Sequence, residues 1–136
     1  ERIVINMINA LPGRLHLASR IHLLNNEKTA LISEAIELYN KLVPEKLKSV
    51  PYLPLGYSKY GDTFVSAGLK TVDKLYLAVW NLNGERHIKL PLAEITVKDA
   101  KVIYPTTLDT KYSFDENSIT IDFTEDEQAR FFEISL

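Results

Sequence analysis

The chain has 136 residues, of which 46% are hydrophobic and 25% are charged, and its formal net charge is −2. An intrinsically disordered chain would contain fewer apolar residues or carry more net charge, so this class is excluded. Five glycines and six prolines exclude a collagen-like repeat. Because the chain has no cysteine, disulfides, thiol nucleophiles and cysteine-based zinc sites are excluded as well.

The balance of charges bears on partners and location. Sixteen Lys and Arg side chains face eighteen Asp and Glu side chains, so we expect neither nucleic acid nor a membrane surface as a partner. No apolar run reaches the length of about 18 residues that a transmembrane helix requires. No signal peptide pattern is visible, and we expect a cytoplasmic location. The first methionine is Met7, which indicates a piece of a longer protein.

The first part of the chain predicts an extended segment followed by one amphipathic helix. After the turn signal at residues 12–13, residues 14–19 alternate apolar and polar side chains, as in a strand or another extended segment. Residues 26–43 carry apolar side chains at helical spacing on more than one flank, with Asn26 as the predicted N-cap and Pro44 as the predicted end. Because these two elements cannot form a core alone, they favour the last β/α unit of a larger α/β domain.

The pattern changes to a period of two after a proline-rich connector at residues 51–56. Short segments of alternating apolar and polar residues follow, separated by turn signals, and they predict an antiparallel β domain. The candidate strands are Thr63–Leu69, Lys74–Leu82, Glu85–Leu92, Ala100–Tyr104, Ser118–Phe123 and Arg130–Leu136.

The dipeptide Asn83-Gly84 favours a two-residue hairpin that places Trp80 opposite His87. This register puts six apolar side chains on one face of the sheet, which should face the core. They are Leu75, Leu77, Val79, Ile88, Leu90 and Leu92. The opposite face, with Tyr76, Ala78 and Trp80, is unusually apolar for a solvated face, so we expect another element to cover it.

No motif for catalysis or metal binding is visible. His16, His22 and His87 lack the paired spacing of metal-binding histidines. No serine lies in a nucleophile elbow, and no glycine-rich loop could cradle a phosphate. The carboxyl groups of Asp109, Asp115 and Glu116 lie in predicted polar turns, where they are poor proton donors at neutral pH. We therefore expect no catalytic residue, no metal and no cofactor.

Aromatic side chains are the remaining candidates for a binding function. Tyr52, Tyr57, Tyr60, Phe64 and Trp80 could stack on sugar rings, whereas aromatic residues at alternating strand positions also serve as core or interface residues. Both interpretations stay open at this point.

Several segments, taken in order, resemble the C-terminal region of bacterial α-galactosidases of glycoside hydrolase family 36. They are residues 7–21 (MINALPGRLHLASRI), 31–39 (LISEAIELY), 50–56 (VPYLPLG), 68–69 (GL) and 76–80 (YLAVW). In that family a (β/α)₈ barrel carries catalysis and an antiparallel β-sandwich follows it. The resemblance implies that residues 1–48 are the end of the catalytic barrel, with its last strand and helix, and that residues 49–136 are the C-terminal β-sandwich.

The resemblance also implies where a site would lie. The family's nucleophile and acid/base aspartates come earlier in the barrel, so no catalytic residue is carried over to this chain. Barrel active sites lie at the carboxyl ends of the strands. Ser19 and Arg20 follow the predicted last strand and are therefore candidate substrate-binding residues in the parent enzyme. In the alternative interpretation, Ser19 caps the next turn and Arg20 forms a surface ion pair.

Three functional hypotheses follow from these patterns. In the first, the chain is the non-catalytic C-terminal fragment of an α-galactosidase that hydrolyses terminal α-galactosides with retention, and it serves packing or assembly. Its partner would be the parent's catalytic barrel, and the α-galactoside would bind to the parent only. In the second, the chain is a stand-alone carbohydrate-binding β-sandwich. In the third, the chain is an assembly module: the helix at residues 26–43 has lost its barrel neighbours, its exposed apolar flank needs a partner, and the chain forms a homo-oligomer through residues 1–43.

Overall fold

A computed structural model describes all residues, 1–136, and contains two α-helices and eight β-strands. The helices are α1 (Arg2–Ala10) and α2 (Asn26–Lys46), and a single 3₁₀ turn (Ile21–Leu23) lies between them. The strands are β1 (Val50–Tyr52), β2 (Phe64–Lys70), β3 (Lys74–Asn81), β4 (His87–Pro91), β5 (Asp99–Tyr104), β6 (Lys111–Asp115), β7 (Ser118–Asp122) and β8 (Gln128–Ser135). No helix is both long enough and apolar enough to cross a bilayer.

The strands form two antiparallel sheets that pack face to face, as the predicted β-sandwich requires. The five-stranded sheet has the order β1-β2-β3-β8-β5, and the three-stranded sheet has the order β4-β7-β6. Alternate residues of both sheets point into a shared core, which we call the sandwich core. Its buried members are Leu75, Leu77, Val79, Leu90, Leu92, Ile95, Val97, Ala100, Ile119, Ile121, Phe123, Phe132 and Ile134.

The sandwich core confirms the predicted core face. Five of the six apolar side chains assigned to that face are buried in it, and the sixth, Ile88, is partly buried against it. Each fully buried Leu or Ile side chain stabilises the fold by about 1.5–3 kcal/mol relative to an exposed one. Period-two alternation therefore identified the inward side of β3 and β4 correctly.

A second core forms on the other face of the five-stranded sheet, where the two helices pack. Tyr76 and Ala78 are buried beneath the helices, and Trp80 packs at the margin of the same cluster. The prediction that another element covers this face is thus confirmed. The buried members are Val4, Met7, Ile8, Leu11, Ile32, Ala35, Leu42, Tyr76, Ala78, Tyr104, Ala129 and Phe131.

Polar contacts fix both helices to the sheet. Arg130 on β8 is 3% exposed, and its guanidinium binds the Glu1 carboxylate through two contacts, Nη1–Oε2 at 3.0 Å and Nη2–Oε1 at 2.9 Å. The Nε of Arg130 donates to Thr110 Oγ1 at 2.7 Å, so the buried cation is well satisfied. On α2, the Leu31 carbonyl accepts a hydrogen bond from the Tyr104 hydroxyl at 3.1 Å. Burial raises the pKa of Tyr104, which keeps this donor protonated.

The predicted hairpin at Asn83-Gly84 is wrong. β3 pairs with β2 and β8, whereas β4 pairs with β7 in the other sheet. Trp80 consequently lies opposite Val65 and Ala129, and His87 lies opposite Asp122. The turn crosses from one sheet to the other because both strands present an apolar face to the same core. Alternation determines which residues point inward, but it does not determine which strand is the neighbour.

The N-terminal part also differs from the prediction. Residues 14–18 form no strand, and an additional helix, α1, precedes them. Asn25 rather than Asn26 caps α2, since its side chain accepts from the backbone N–H of Lys28 at 3.0 Å. The helix continues past Pro44 to Lys46 because a proline in the final turn removes a single hydrogen bond. The assignment of residues 1–48 to a barrel stays a prediction.

Candidate functional site

The candidate residues Ser19 and Arg20 lie in the loop that joins the two helices, residues 11–25, which we call the interhelical loop. Both side chains are exposed, and neither makes a hydrogen bond or an ion pair within the chain. Their backbone carbonyls are engaged instead: that of Ser19 accepts from the N–H of Ile21 at 2.9 Å, and that of Arg20 accepts from the N–H of Leu23 at 3.1 Å. The alternative roles, a side-chain cap for Ser19 and an ion pair for Arg20, are therefore not formed. Their place at a barrel rim stays a prediction.

The base of the interhelical loop is held in place by α2. The ammonium group of Lys46 donates to the Gly13 carbonyl at 2.8 Å and lies 3.9 Å from the centre of the Tyr39 ring. The Lys46 side chain is partly buried there, and this burial lowers its pKa. Leu11 is buried in the helix-covered core and ends α1 with a hydrogen bond from its N–H to the Met7 carbonyl at 3.0 Å. The loop thus has a fixed base and an exposed tip.

The tip of the interhelical loop presents apolar and basic side chains together. Leu17, Ile21 and Leu23 are exposed to solvent, and Leu23 is 69% exposed. Between Gly13 and Asn25 the sequence has Arg and His but no acidic residue. A surface of this kind suits contact with another protein surface or an anionic group, and it contains no pair of carboxylates for acid–base chemistry.

The three acidic candidates, Asp109, Asp115 and Glu116, lie in β6 and in the segments that flank it. The Asp115 carboxylate accepts from the Lys89 ammonium at 3.0 Å and from the backbone N–H of Asn117 at 3.1 Å. These two hydrogen bonds lower the pKa of Asp115 to about 2, so this carboxyl is ionised at neutral pH and cannot donate a proton. Asp109 is exposed in the segment between β5 and β6, and Glu116 is exposed in the turn between β6 and β7.

The histidines are dispersed over the surface. His87 contacts Asp122 through Nδ1 and Oδ1 at 2.6 Å on the outer face of the three-stranded sheet. His16 and His22 lie exposed in the interhelical loop. No group of three or more His, Asp or Glu side chains is arranged to hold a metal ion.

The five aromatic candidates divide into engaged and free side chains. Phe64 stacks on Phe123 at 6.1 Å between ring centroids and packs against the sandwich core, and the Tyr52 hydroxyl donates to the Ala93 carbonyl at 2.8 Å. Tyr57 and Tyr60 are exposed over nearly their whole surface. Trp80 lies partly buried in a shallow cleft of about 490 Å³. The other residues that line this cleft are Asn9, Ser58, Val65, Ala67 and Leu82.

Reasoning from the sequence missed α1, which forms one wall of the helix-covered core. The signal was present, because Val4, Met7, Ile8 and Leu11 are spaced by three and four residues along one helical face. It also missed the pairing of Glu1 with Arg130, which are separated by 129 positions and which no local pattern connects.

Comparisons with known proteins give a likeness in structure and none in sequence. No protein-family model matches the chain, and no curated protein sequence matches it either. Among solved structures, the chain is similar to the galactosidase domain of the α-galactosidase-sucrose kinase AgaSK, with a TM-score of 0.67 and 17% sequence identity. The likeness covers 96% of this chain and 19% of the AgaSK chain.

This likeness shows that the two proteins share a fold over nearly the whole of the present chain. The shared region includes the helices as well as both sheets, since 96% of the chain is aligned. The neighbour is a galactosidase domain, which agrees with the resemblance predicted from the sequence. The chain spans about a fifth of that protein's length.

Proposed function

We propose that the chain is the C-terminal, non-catalytic part of an α-galactosidase. The observation that carries the proposal is the structural likeness to a galactosidase domain over 96% of the chain, together with the ordered resemblance found in the sequence. Retaining glycosidases use two carboxyl groups roughly 5–5.5 Å apart. The Asp115 carboxylate is instead occupied by hydrogen bonds from the Lys89 ammonium and from the backbone N–H of Asn117. We therefore assign hydrolysis of terminal α-galactosides with retention to the part of the barrel that lies outside this chain.

In this proposal residues 1–48 complete the barrel and residues 49–136 form the β-sandwich that supports it. The exposed apolar side chains of the interhelical loop support a protein partner at that surface, which in this proposal is the rest of the barrel. Ser19 and Arg20 would then lie where the substrate is bound. The cytoplasm is the proposed compartment.

The proposal is tested with a chromogenic α-galactoside. The purified chain should release no dye above the buffer blank, because the proposal assigns both catalytic carboxylates to the part of the enzyme outside this chain. In the full-length enzyme, Arg20→Ala should raise the KM for the same substrate, whereas the matched variant Arg14→Ala should leave it unchanged. Dye release by the purified chain alone would refute the proposal that catalysis requires the part of the enzyme outside this chain. Equal KM values for Arg20→Ala and the unmodified enzyme would show that Arg20 does not bind the substrate.

A second candidate function, carbohydrate binding by the sandwich itself, is favoured by the exposure of Tyr57 and Tyr60. Tyr57 directly precedes Ser58, which lines the cleft that contains Trp80, and Tyr60 follows Ser58 by two residues. Aromatic rings of this kind can stack on the apolar face of a sugar. Trp80 is the single tryptophan, so its fluorescence can be followed during titration with galactose, melibiose or raffinose. A change that disappears in Tyr57→Ala and Tyr60→Ala would support binding, whereas a flat signal at millimolar sugar would exclude it.

A further inference from the structure

The edges of the two sheets are protected to different degrees. β1 contains Pro51 and β4 ends at Pro91, and proline cannot donate a ladder hydrogen bond. β5 has an irregular register between Val102 and Tyr104 and lies against α2. β6 has no proline, no register shift and no covering element, and all five of its residues are exposed. Such an edge is a template for a further strand.

The register of β6 shows which of its backbone groups are free. Asp115 pairs with Ser118 across the two-residue turn at Glu116-Asn117. The pair that closes such a turn exchanges hydrogen bonds, and hydrogen-bonded and non-hydrogen-bonded pairs then alternate along an antiparallel ladder. Residues 111, 113 and 115 therefore bond to β7. Tyr112 and Phe114 direct their N–H and C=O groups away from the sheet.

We propose that β6 pairs with β6 of a second copy of the chain, antiparallel and about a two-fold axis at Ser113. In this register Tyr112 of each copy lies opposite Phe114 of the other, so the outward backbone groups of the two copies meet and form four hydrogen bonds. Lys111 of each copy lies opposite Asp115 of the other, at both ends of the strand pair. The two three-stranded sheets become one continuous sheet of six strands.

The side chains explain why the partner is a second copy. The strand reads Lys-Tyr-Ser-Phe-Asp, so its charges have opposite signs at equal distances from the central serine. Opposite charges at directly facing positions favour this two-fold pairing, and like charges would oppose it. Lys111 lies opposite Asp122 on β7 of its own chain but forms no ion pair with it, since Asp122 contacts His87 instead, and the Lys111 ammonium can reach the second copy. Asp115 uses one oxygen for Lys89 and the other for Asn117, and each oxygen keeps a further lone pair.

The aromatic side chains add apolar contact to the same pairing. Tyr112 is 37% exposed and packs edge-on against Phe132 at 5.5 Å between ring centroids, and Phe114 is 41% exposed. Facing aromatic pairs are favourable across antiparallel strands, and here each copy contributes one ring to each of two pairs. A single strand pair is a small interface, so we expect a dimer that dissociates on dilution. The dimer does not depend on the α-galactosidase assignment.

Charge reversal tests the register. In a dimer of Lys111→Glu, each introduced acid would lie opposite Asp115 of the other copy, and in a dimer of Asp115→Lys each introduced base would lie opposite Lys111. Like charges would then face each other at both ends of the strand pair. At a concentration at which the unmodified chain dimerises, each variant alone should therefore sediment at the monomer mass of 15.5 kDa. Mixing the two variants restores an opposite pair at both ends and should produce a heterodimer. Lys98→Glu, on an exposed residue outside β6, makes the same charge change and should dimerise like the unmodified chain. Circular dichroism confirms that each variant is folded.

A single introduced thiol tests the two-fold axis independently. Facing Cα atoms in a non-hydrogen-bonded pair lie about 4.5 Å apart, which is within the range of a disulfide. Because the chain has no cysteine, Ser113→Cys should give only one cross-linked product, a dimer, under mild oxidation. Thr120→Cys, the neighbour of Ser113 on β7, lies one strand further from the axis and should cross-link much more slowly. Equal rates for the two variants, or a mixture of charge variants that stays monomeric, would overturn the proposal.

Discussion

At Gly68, the neighbouring strand β3 lies so close that there is little room for a side chain. Gly68 on β2 pairs with Leu77 on β3 and is buried. A Cβ atom at this position would lie 2.8 Å from the Leu75 Cδ1 atom and 3.1 Å from the Tyr76 carbonyl oxygen. The backbone oxygen cannot move without disturbing the β2–β3 ladder. Glycine is therefore required here by space rather than by its backbone angles.

Gly68→Ala should lower the free energy of unfolding by about 1–3 kcal/mol, because the added methyl group overpacks the sandwich core. Gly13→Ala is the matched control, since a Cβ there would have no atom within 4 Å. Urea unfolding followed by circular dichroism measures both. If the two variants unfold at the same urea concentration, the packing described around Gly68 is wrong.

Glu133 illustrates a charge that depends on two neighbours. Its carboxylate lies 2.8 Å from the Lys101 ammonium and 3.2 Å from that of Lys74. Burial alone would raise the pKa of Glu133, but the hydrogen bonds from Lys101 and Lys74 together outweigh this effect and lower it. A lowered pKa in the folded state contributes stability above the ordinary value of 4.5, and this contribution is lost as the pH falls through the folded-state pKa.

Glu133→Gln should therefore destabilise the protein by about 1 kcal/mol at neutral pH, and the difference from the unmodified chain should shrink in acid. Unfolding midpoints at neutral pH and at a pH below the ordinary Glu value measure this change. Glu85→Gln, which makes the same change at an exposed side chain without an ion pair, is the matched control and should leave the stability at neutral pH unchanged. A deficit for Glu133→Gln that persists unchanged in acid would contradict the role of the two lysines.

At the scale of elements, two adjacent asparagines differ in what they do for α2. The Asn25 side chain accepts from the Lys28 N–H at 3.0 Å, and the Asn25 carbonyl accepts from Thr29 N and Thr29 Oγ1, each at 3.0 Å. Asn26 is the first residue of the helix and has no capping contact. The cap position is thus specific to one of two identical neighbours, which the sequence pattern alone did not distinguish.

Asn25→Ala should cost about 1 kcal/mol of stability, because the Lys28 N–H loses its acceptor. Asn26→Ala should have little effect or stabilise slightly, since alanine is favourable inside a helix. Thermal unfolding of the two variants provides the comparison. A larger loss of stability for Asn26→Ala than for Asn25→Ala would contradict the assignment of the N-cap to Asn25.

The elements also show what a sequence can predict. The alternation in β3 and β4 correctly assigned their inward faces, because burial of one face leaves a local trace. Their pairing could not be predicted, since the same alternation fits a hairpin or two facing sheets. β1 was not predicted because Pro51 makes its sequence look like a proline-rich connector. β6 was not predicted either, although Tyr112 and Phe114 alternate with polar residues. α1 was not predicted, although its apolar residues are spaced as in a helix.

At the scale of the whole molecule, the five-stranded sheet joins two cores. One of its faces packs on the three-stranded sheet and the other packs on the helices. The sequence indicated that the second face is covered, but it did not indicate by which element. The candidate residues Ser19 and Arg20 could be named only from the resemblance to a family, because their side chains contact nothing within the chain. No local pattern within the chain therefore identifies them.

The most direct test of the central claim uses the native polypeptide that contains this sequence. An antibody raised against the purified chain should precipitate α-galactosidase activity from an extract of the source cells, measured with a chromogenic α-galactoside, while the purified chain alone remains inactive. Precipitation of the antigen without α-galactosidase activity would contradict the assignment of this chain to such an enzyme.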